Sequence, residues 1–251
     1  MKTETAPYHF LDRPANAARG NVTAHVTDTL RQAIVTLELK PGEVIDKGAI
    51  CERLQVSRFP VSEALARLQA EGLVDILPQR GSIVSLVRIA DVLEYMLIRK
   101  ALESEAVRVL VGHHSSELID DLRRNLSYQK AAAEIDDRPG FHERDLEFHD
   151  ILFAGMRFAK IKAVIESARA NLDRARWMII TPRRLAYTIA EHQAIFEAIL
   201  AGAPERASAA MRAHIDSVMA ELLAFAREKP DLFADGDRLV SGDPREDFPF
   251  G

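Results

Sequence analysis

The chain has 251 residues, of which 47% are hydrophobic and 28% are charged, a balance typical of a folded protein and not of a disordered one. No apolar run reaches the roughly 20 residues of a membrane span, no signal peptide opens the sequence, and the single cysteine excludes an internal disulfide framework. We therefore expect a cytoplasmic protein with no membrane partner, although the net charge of −5 does not by itself favour a nucleic-acid partner.

The first part of the chain mixes short helices with a hairpin. After an N-terminal arm at 1–20, apolar residues at helical spacing predict three helices, at 22–39, at 47–54 and from Arg58 onward. Ser57 is placed to cap the third helix. The segments "LVDILP" and "SIVSLV", joined by "QRG", predict a β-hairpin. This order of elements is that of a winged helix-turn-helix, which we place at 21–88.

From about residue 90 the sequence carries helical patterns and no strand signal. The predicted helices are 90–111, 115–136, 139–156, 159–180, 183–201 and 204–228. We therefore expect a mainly α protein, in which the winged helix-turn-helix precedes an all-α bundle of about six helices at 89–228. The last segment, 229–251, is rich in Pro, Gly and Asp and is predicted to be irregular.

Residues suited to DNA lie at the start of the third helix and at the hairpin tip. Arg58 can form a bidentate pair with a guanine in the major groove, and Ser57 lies beside backbone N–H groups that can bind phosphate. Arg67 lies two to three turns further along, where a phosphate contact is expected. Arg80 and Gly81 at the hairpin tip are predicted to reach the minor groove. The alternative is that these arginines are solvated surface charges.

The pattern "VSRFPVSEALARLQAEGLV" followed by "QRGSIV" resembles the winged-helix domain of the GntR family of bacterial transcription regulators, over about residues 20–88. The resemblance implies double-stranded operator DNA as a partner. Two positions depart from the family pattern: Ser62, which is also a predicted DNA contact, stands where an arginine is usual, and Phe59 stands where a threonine is common. We expect the loss of that arginine at position 62 to change the preferred operator.

Polar residues interrupt three of the predicted apolar helix faces. Asp145 and His149 lie one turn apart on one face, and His192 and His214 each lie at the middle of another apolar stripe. One aspartate and three histidines form a ligand set suited to Zn²⁺, Ni²⁺ or Mn²⁺. A single histidine on an apolar face is more often a hydrogen-bonded core residue, so the residues alone leave both interpretations open.

Residues 91–225 resemble the FCD ligand-binding domain of the FadR subfamily, through "MLIRKALE", "RDLEFHDILF", "EHQAIFEAI" and "AAMRAHI". A bundle of about six helices is similar to that of the VanR-type variant of this domain. The resemblance implies that Asp145, His149, His192 and His214 bind one divalent metal ion, in a homodimer that responds to a small carboxylate. It also implies that Arg99 faces the ligand; the alternative is a salt bridge to Glu103.

Asn171 is a further predicted ligand contact, and His9, His25, His113, His114 and His142 are interpreted as surface or structural residues. The predicted function is a DNA-binding transcriptional repressor controlled by a carboxylate at the metal site. Two alternatives are a metal-dependent enzyme acting on a small organic acid and a regulator with a purely structural metal. The enzyme is disfavoured because no catalytic acid or base can be nominated and because it leaves the winged helix unexplained.

Overall fold

A computed structural model describes residues 8–12, 19–79, 81–156 and 169–237 of the chain. Its contacts divide the chain into two compact units. The first comprises the described residues of Met1–Arg88 and Lys229–Gly242, and the second comprises those of Ile89–Glu228. The predicted class is confirmed, since the described residues are mainly helical with one small sheet.

The first unit is a winged helix-turn-helix. Its elements are α1 (Arg19–Val35), β1 (Val44–Ile45), α2 (Lys47–Leu54), α3 (Arg58–Ala70), β2 (Val74–Leu77) and β3 (Gly81–Val84). The strands are ordered β1-β3-β2, and both pairings are antiparallel. The hairpin is as predicted, whereas β1 was not predicted because two residues are too few to show an alternating pattern.

Local sequence explains where the helices of this unit begin and what they bury. Asp46 caps α2, because its carboxylate accepts hydrogen bonds from the backbone N–H groups of Gly48 and Ala49. Helix α3 packs against α1 and buries one apolar face, formed by Val61, Ala64, Leu65 and Leu68. The opposite face of α3 is left to solvent.

The segment after the bundle, predicted to be irregular or loosely docked, makes a few ordered contacts in its described part. Pro230–Leu232 forms a short 3-10 helix, and the buried Phe233 pairs with Val87 in a parallel bridge. The carbonyl of Val87 accepts a hydrogen bond of 2.8 Å from the N–H of Ala234. The described part of the tail therefore belongs to the first unit. One aromatic anchor and two backbone hydrogen bonds are enough to order a segment whose composition indicates a loop.

The second unit is a helical bundle. Its elements are α4 (Ile89–Leu110), α5 (Ser116–Glu134), α6 (Arg138–Met156), α7 (Arg169–Met178), α8 (Pro182–Leu200) and α9 (Pro204–Glu228). Ser115 and Thr181 cap α5 and α8 through their hydroxyl groups. Helix α9 packs against α4 and α8, and α5 packs against α6. Among the described helices, none is long and apolar enough to cross a membrane.

Candidate metal centre and DNA-reading surface

Four buried side chains from three helices meet inside the bundle, and we call them the metal centre: Asp145 and His149 on α6, His192 on α8 and His214 on α9. Each offers one ligand atom, and these atoms all lie within 4.8 Å of one another. Bonds of about 2.0–2.2 Å to a shared ion would bring such atoms slightly closer together. The four predicted residues therefore lie close enough together that a small inward movement would let them bind one ion.

Each imidazole of the metal centre has an oxygen atom close to its Nδ1, through a hydrogen bond for His192 and His214 and an ion-pair contact for His149. His192 Nδ1 lies 3.0 Å from Gln129 Oε1, and His214 Nδ1 lies 2.8 Å from Glu191 Oε2. His149 Nδ1 lies 2.6 Å from Glu103 Oε2. An acceptor at Nδ1 favours the tautomer that carries its proton there, which leaves the Nε2 lone pair available.

The three Nε2 atoms point toward Asp145 without bonding to it. They are fully buried, and within the described chain none of them has a hydrogen-bond partner. Asp145 Oδ1 lies 3.5 Å from His192 Nε2 and 3.9 Å from His149 Nε2. Buried polar atoms are normally satisfied, so three that converge on one carboxylate fit a shared divalent cation.

The electrostatics of the centre keep its ligands in the form that binds metal. Burial lowers the pKa of His149 to about 4, although the Glu103 carboxylate acts in the opposite direction. Burial, together with the neighbouring His214, also holds the pKa of His192 well below its ordinary value. Burial alone would raise the pKa of Asp145, but Arg176 and the imidazoles outweigh it and hold that pKa well below its usual range.

Two buried arginines flank the centre. Arg99 donates from Nε to Glu103 Oε1 at 2.5 Å, so the structure forms the salt bridge considered as the alternative for Arg99. Arg176 Nη1 lies 3.2 Å from Asp145 Oδ2, whereas His149 and His192 lie near the other oxygen, Oδ1. Arg99 is thus tied to the carboxylate that holds His149, while Arg176 contacts a metal-centre residue directly.

A small cavity opens beside Asp145 and His214, and we call it the effector cavity. Its polar lining consists of these two residues and His142, Arg176, Arg184 and Thr188. Its apolar lining is Phe141, Ile179, Ile180, Leu185 and Val218. Arg99 is not part of this lining, whereas Arg176 and Arg184 are.

Sequence reasoning missed several residues that support the centre. Gln129 lies on the buried face of α5, so a polar residue on an apolar stripe could have identified it. His142, interpreted as a surface or structural residue, is buried and packs edge-on against Trp177 while lining the cavity. Glu191 and Arg176 gave no such signal, because their partners are distant in sequence. The side chain of Asn171 lies outside the described residues, so its ligand role remains a prediction.

On the first unit, the predicted DNA-contact residues of α3 are solvent-exposed. Ser57, Arg58 and Ser62 lie around the first turns of the helix. Ser57 occupies the N-cap position as predicted, but its hydroxyl makes no capping hydrogen bond. Arg67 is half-exposed and donates to Glu63 Oε1 at 2.7 Å, one turn earlier on the same helix.

At the hairpin tip, Gly81 has a φ of +90°, and a Cβ added there would meet no atom within 4 Å. The turn therefore requires glycine for its left-handed backbone and not to leave space for a neighbour. Arg80, the predicted wing contact, lies outside the described residues.

Comparison with known proteins supports both units. Residues 22–84 match the family described as bacterial regulatory proteins, gntR family, and residues 94–217 match the FCD domain. An HTH-type transcriptional regulator from an unstable DNA locus of Streptomyces ambofaciens is 32% identical, over 82% of this chain and 86% of the relative. The chain belongs to the GntR family.

Other GntR relatives agree with that placement. The repressor RspR of Escherichia coli K12 is 29% identical over 85% of this chain and 94% of its own. A GntR protein of Rhodococcus sp. RHA1 shares the fold with a TM-score of 0.70 at 22% identity, over 81% of this chain and 98% of its own. Escherichia coli McbR gives a TM-score of 0.67 at 22% identity, over 81% of this chain and 97% of its own. The family, the Streptomyces relative and RspR are transcriptional regulators and not enzymes.

Proposed function

We propose that this GntR regulator is a cytoplasmic homodimeric repressor, whose binding to operator DNA is controlled by a small carboxylate at a divalent metal ion in the metal centre. The single observation that carries the proposal is the convergence of three buried, unbonded imidazole Nε2 atoms on Asp145. The similarity to RspR, a transcriptional repressor, supports repression as the mode of regulation.

The ligand set suits Zn²⁺, Ni²⁺ or Mn²⁺, because imidazole and carboxylate groups serve all three ions. When bound, the ion supplies a Lewis-acid position for an anionic oxygen. Asp145, His149, His192 and His214 would hold it, with Glu103, Gln129 and Glu191 fixing the three rings. Outer hydrogen bonds of this kind orient metal ligands and set their basicity.

Charge balance favours an anionic effector. Three buried arginines are each paired with a carboxylate, in the pairs Arg99–Glu103, Arg176–Asp145 and Arg184–Glu191. A divalent cation adds two positive charges to this buried cluster, which is costly unless an anion accompanies it. We place the effector carboxylate in the effector cavity, between the ion and Arg176, with the Thr188 hydroxyl at its wall. Arg99 then acts through Glu103 on His149, a revision of the ligand role predicted from the sequence.

The first unit supplies one recognition helix per chain. One such helix gives few base contacts, so two chains on a two-fold related pair of half-sites are needed for specific binding. The effector controls DNA binding if it favours one arrangement of the dimer over another, because a ligand shifts an equilibrium only by its differential affinity.

The decisive experiment is metal analysis of untagged full-length protein, followed by DNA-binding assays with a panel of small carboxylates. We expect about one divalent ion per chain and a DNA affinity that responds to at least one carboxylate. His214→Ala should lose the ion, whereas the exposed control His113→Ala should keep it. Arg176→Lys should keep the ion and weaken the response, because lysine preserves the charge beside Asp145 but not the planar fork.

Two results would count against the proposal. Protein that is free of metal and refuses added Zn²⁺, Ni²⁺ and Mn²⁺ would leave Asp145 as a core carboxylate paired with Arg176. Protein that holds the ion while no carboxylate alters DNA binding would indicate a structural metal.

A further inference from the structure

The first turn of the recognition helix carries an exposed aromatic ring. Phe59 is 71% exposed, the largest value for a large apolar side chain among the described residues of the first unit. Single exposed apolar residues are common on protein surfaces, so exposure alone does not assign a role. The position of Phe59 on α3 is what distinguishes it.

Phe59 belongs to an exposed stripe on the face of α3 opposite the core. Phe59, Ser62 and Ala66 are separated by three and four residues, so they line one side of the helix, and all three are exposed. Arg58 and Ser57 flank the ring at the helix N-terminus. Ser62 and Ala66 have small side chains, which allow this side of the helix to lie close to base edges.

A phenyl ring in the major groove can recognise only one feature among the four bases. It has no donor or acceptor to match the edges of guanine, cytosine or adenine, and covering those groups would remove them from water. Thymine alone presents a methyl group there, and Phe is among the residues that contact it. We infer that Phe59 is a specificity residue that packs against a thymine methyl group in each half-site, next to the base contacted by Arg58. This inference rests on the proposed entry of α3 into the major groove.

The side chains that follow Phe59 on the stripe support the same conclusion. With Ser62 at the next position of the stripe, a major-groove contact that an arginine would supply is absent. The stripe therefore has a bulky apolar residue at its start and two small residues after it. Such a surface selects for shape and for a methyl group more than for a second hydrogen-bonding base.

The experiment has two stages and uses the full chain. First, wild-type protein selects duplexes from a randomised library, which defines the preferred half-site. Second, each thymine of that site is replaced in turn by uracil, which differs only in lacking the methyl group, and Kd is measured. At one thymine per half-site, we expect replacement by uracil to lower the affinity of wild type about three- to fivefold, because one fewer carbon is buried.

Phe59→Ala should bind the thymine and uracil duplexes equally at that position, while keeping its preference at the base contacted by Arg58. Val44→Ala is the matched control, because Val44 is also exposed, at 63%, but lies on β1. It should retain the wild-type sensitivity to the methyl group. Thermal unfolding should show both variants folded, since neither side chain is buried.

The outcomes separate this inference from the proposed function. A selected site at which wild type ignores every thymine methyl group would overturn the role of Phe59 and leave DNA reading by α3 intact. That role is also overturned if Phe59→Ala remains as sensitive to the methyl group as wild type, or if Val44→Ala loses sensitivity equally. If no sequence is selected at all, operator recognition fails and the role of Phe59 fails with it.

Discussion

The two units place their functional side chains in opposite environments. On α3, the predicted DNA-contact residues Ser57, Arg58 and Ser62 are exposed and contribute little to the core. In the bundle, the metal-centre residues are buried, and all six described helices bring a side chain to them or to the partners that hold them. The proposed DNA contacts therefore lie on a surface that the fold leaves free, whereas the proposed ligand site lies within the core.

The difference has an energetic consequence. Exposed residues can be changed with stability effects that usually stay within about 0.5 kcal/mol, so substitutions on α3 should alter binding alone. Buried charged residues are compensated by each other, so removing one leaves another uncompensated. Substitutions at the metal centre should therefore change ligand binding and folding together.

The largest effect is expected for Asp145→Ala. It removes a metal ligand and leaves the buried Arg176 without the carboxylate it contacts at 3.2 Å. Breaking a buried ion pair from one side costs about 3–5 kcal/mol, even in chelator-treated protein. Urea unfolding measures the loss. Asp120→Ala is the control, because the Asp120–Arg123 pair on α5 is exposed and should contribute at most about 1 kcal/mol. Equal losses in the two variants would contradict a buried, charge-compensated centre.

A second test of the buried metal centre measures the stability of metal-free protein as a function of pH. His149 has a pKa of about 4 in the folded chain, against an ordinary value near 6.5 once unfolded. Between these values the unfolded chain binds a proton that the folded chain does not, so stability falls as pH drops from 6.5 to 4. The loss from this one residue is up to about 3 kcal/mol.

Urea unfolding across that pH range checks the sign. His149→Gln should show a shallower decline than wild type, because it lacks the group that titrates. A wild-type stability that rises as pH falls from 6.5 would contradict a buried, neutral imidazole.

Sequence patterns predicted the elements of both units and the four metal-centre residues, because both depend on local spacing. Asp145 and His149 are one turn apart on α6, and His192 and His214 interrupt apolar stripes that are visible in the sequence. Helix periodicity fixes which face a residue occupies, and the resemblance to the FCD domain added the expectation that these four residues act together.

The contacts that the supporting residues make were not predictable in the same way. Glu191 meets His214 across 23 residues, and Gln129 meets His192 across 63, so each contact depends on how helices pack and not on spacing within one helix. Arg99 shows the same limit. Its stripe position correctly indicated burial, but local spacing could not decide between Glu103, four residues away, and a ligand.

An effect of intermediate size is expected when a residue that holds one of the imidazole rings is removed. Glu191→Ala removes the acceptor of His214 Nδ1 while leaving all four ligands in place. Loss of such a partner typically lowers metal affinity by about 10- to 100-fold. Competition with a chromophoric chelator measures the change. Glu197→Ala is the control on the same helix, since Glu197 is exposed and accepts a hydrogen bond from Gln193. Unchanged metal affinity in Glu191→Ala would mean that the ring of His214 is held by packing alone.

The smallest effect is expected for substitution of Arg67. Comparing it with substitution of Arg58 separates phosphate contacts from base contacts on the first unit. Arg58→Ala should weaken binding and relax the preference at one base pair, by about 1–3 kcal/mol of discrimination. Arg67 is paired with Glu63 and lies further along α3, so Arg67→Ala should weaken binding nearly equally for all sequences. It should also reduce the slope of log K against log salt by about one. Titrations at several salt concentrations, on the selected site and on an unrelated duplex, measure both quantities. If Arg67→Ala alters sequence preference while Arg58→Ala does not, the assignment of base and phosphate contacts along α3 must be reversed.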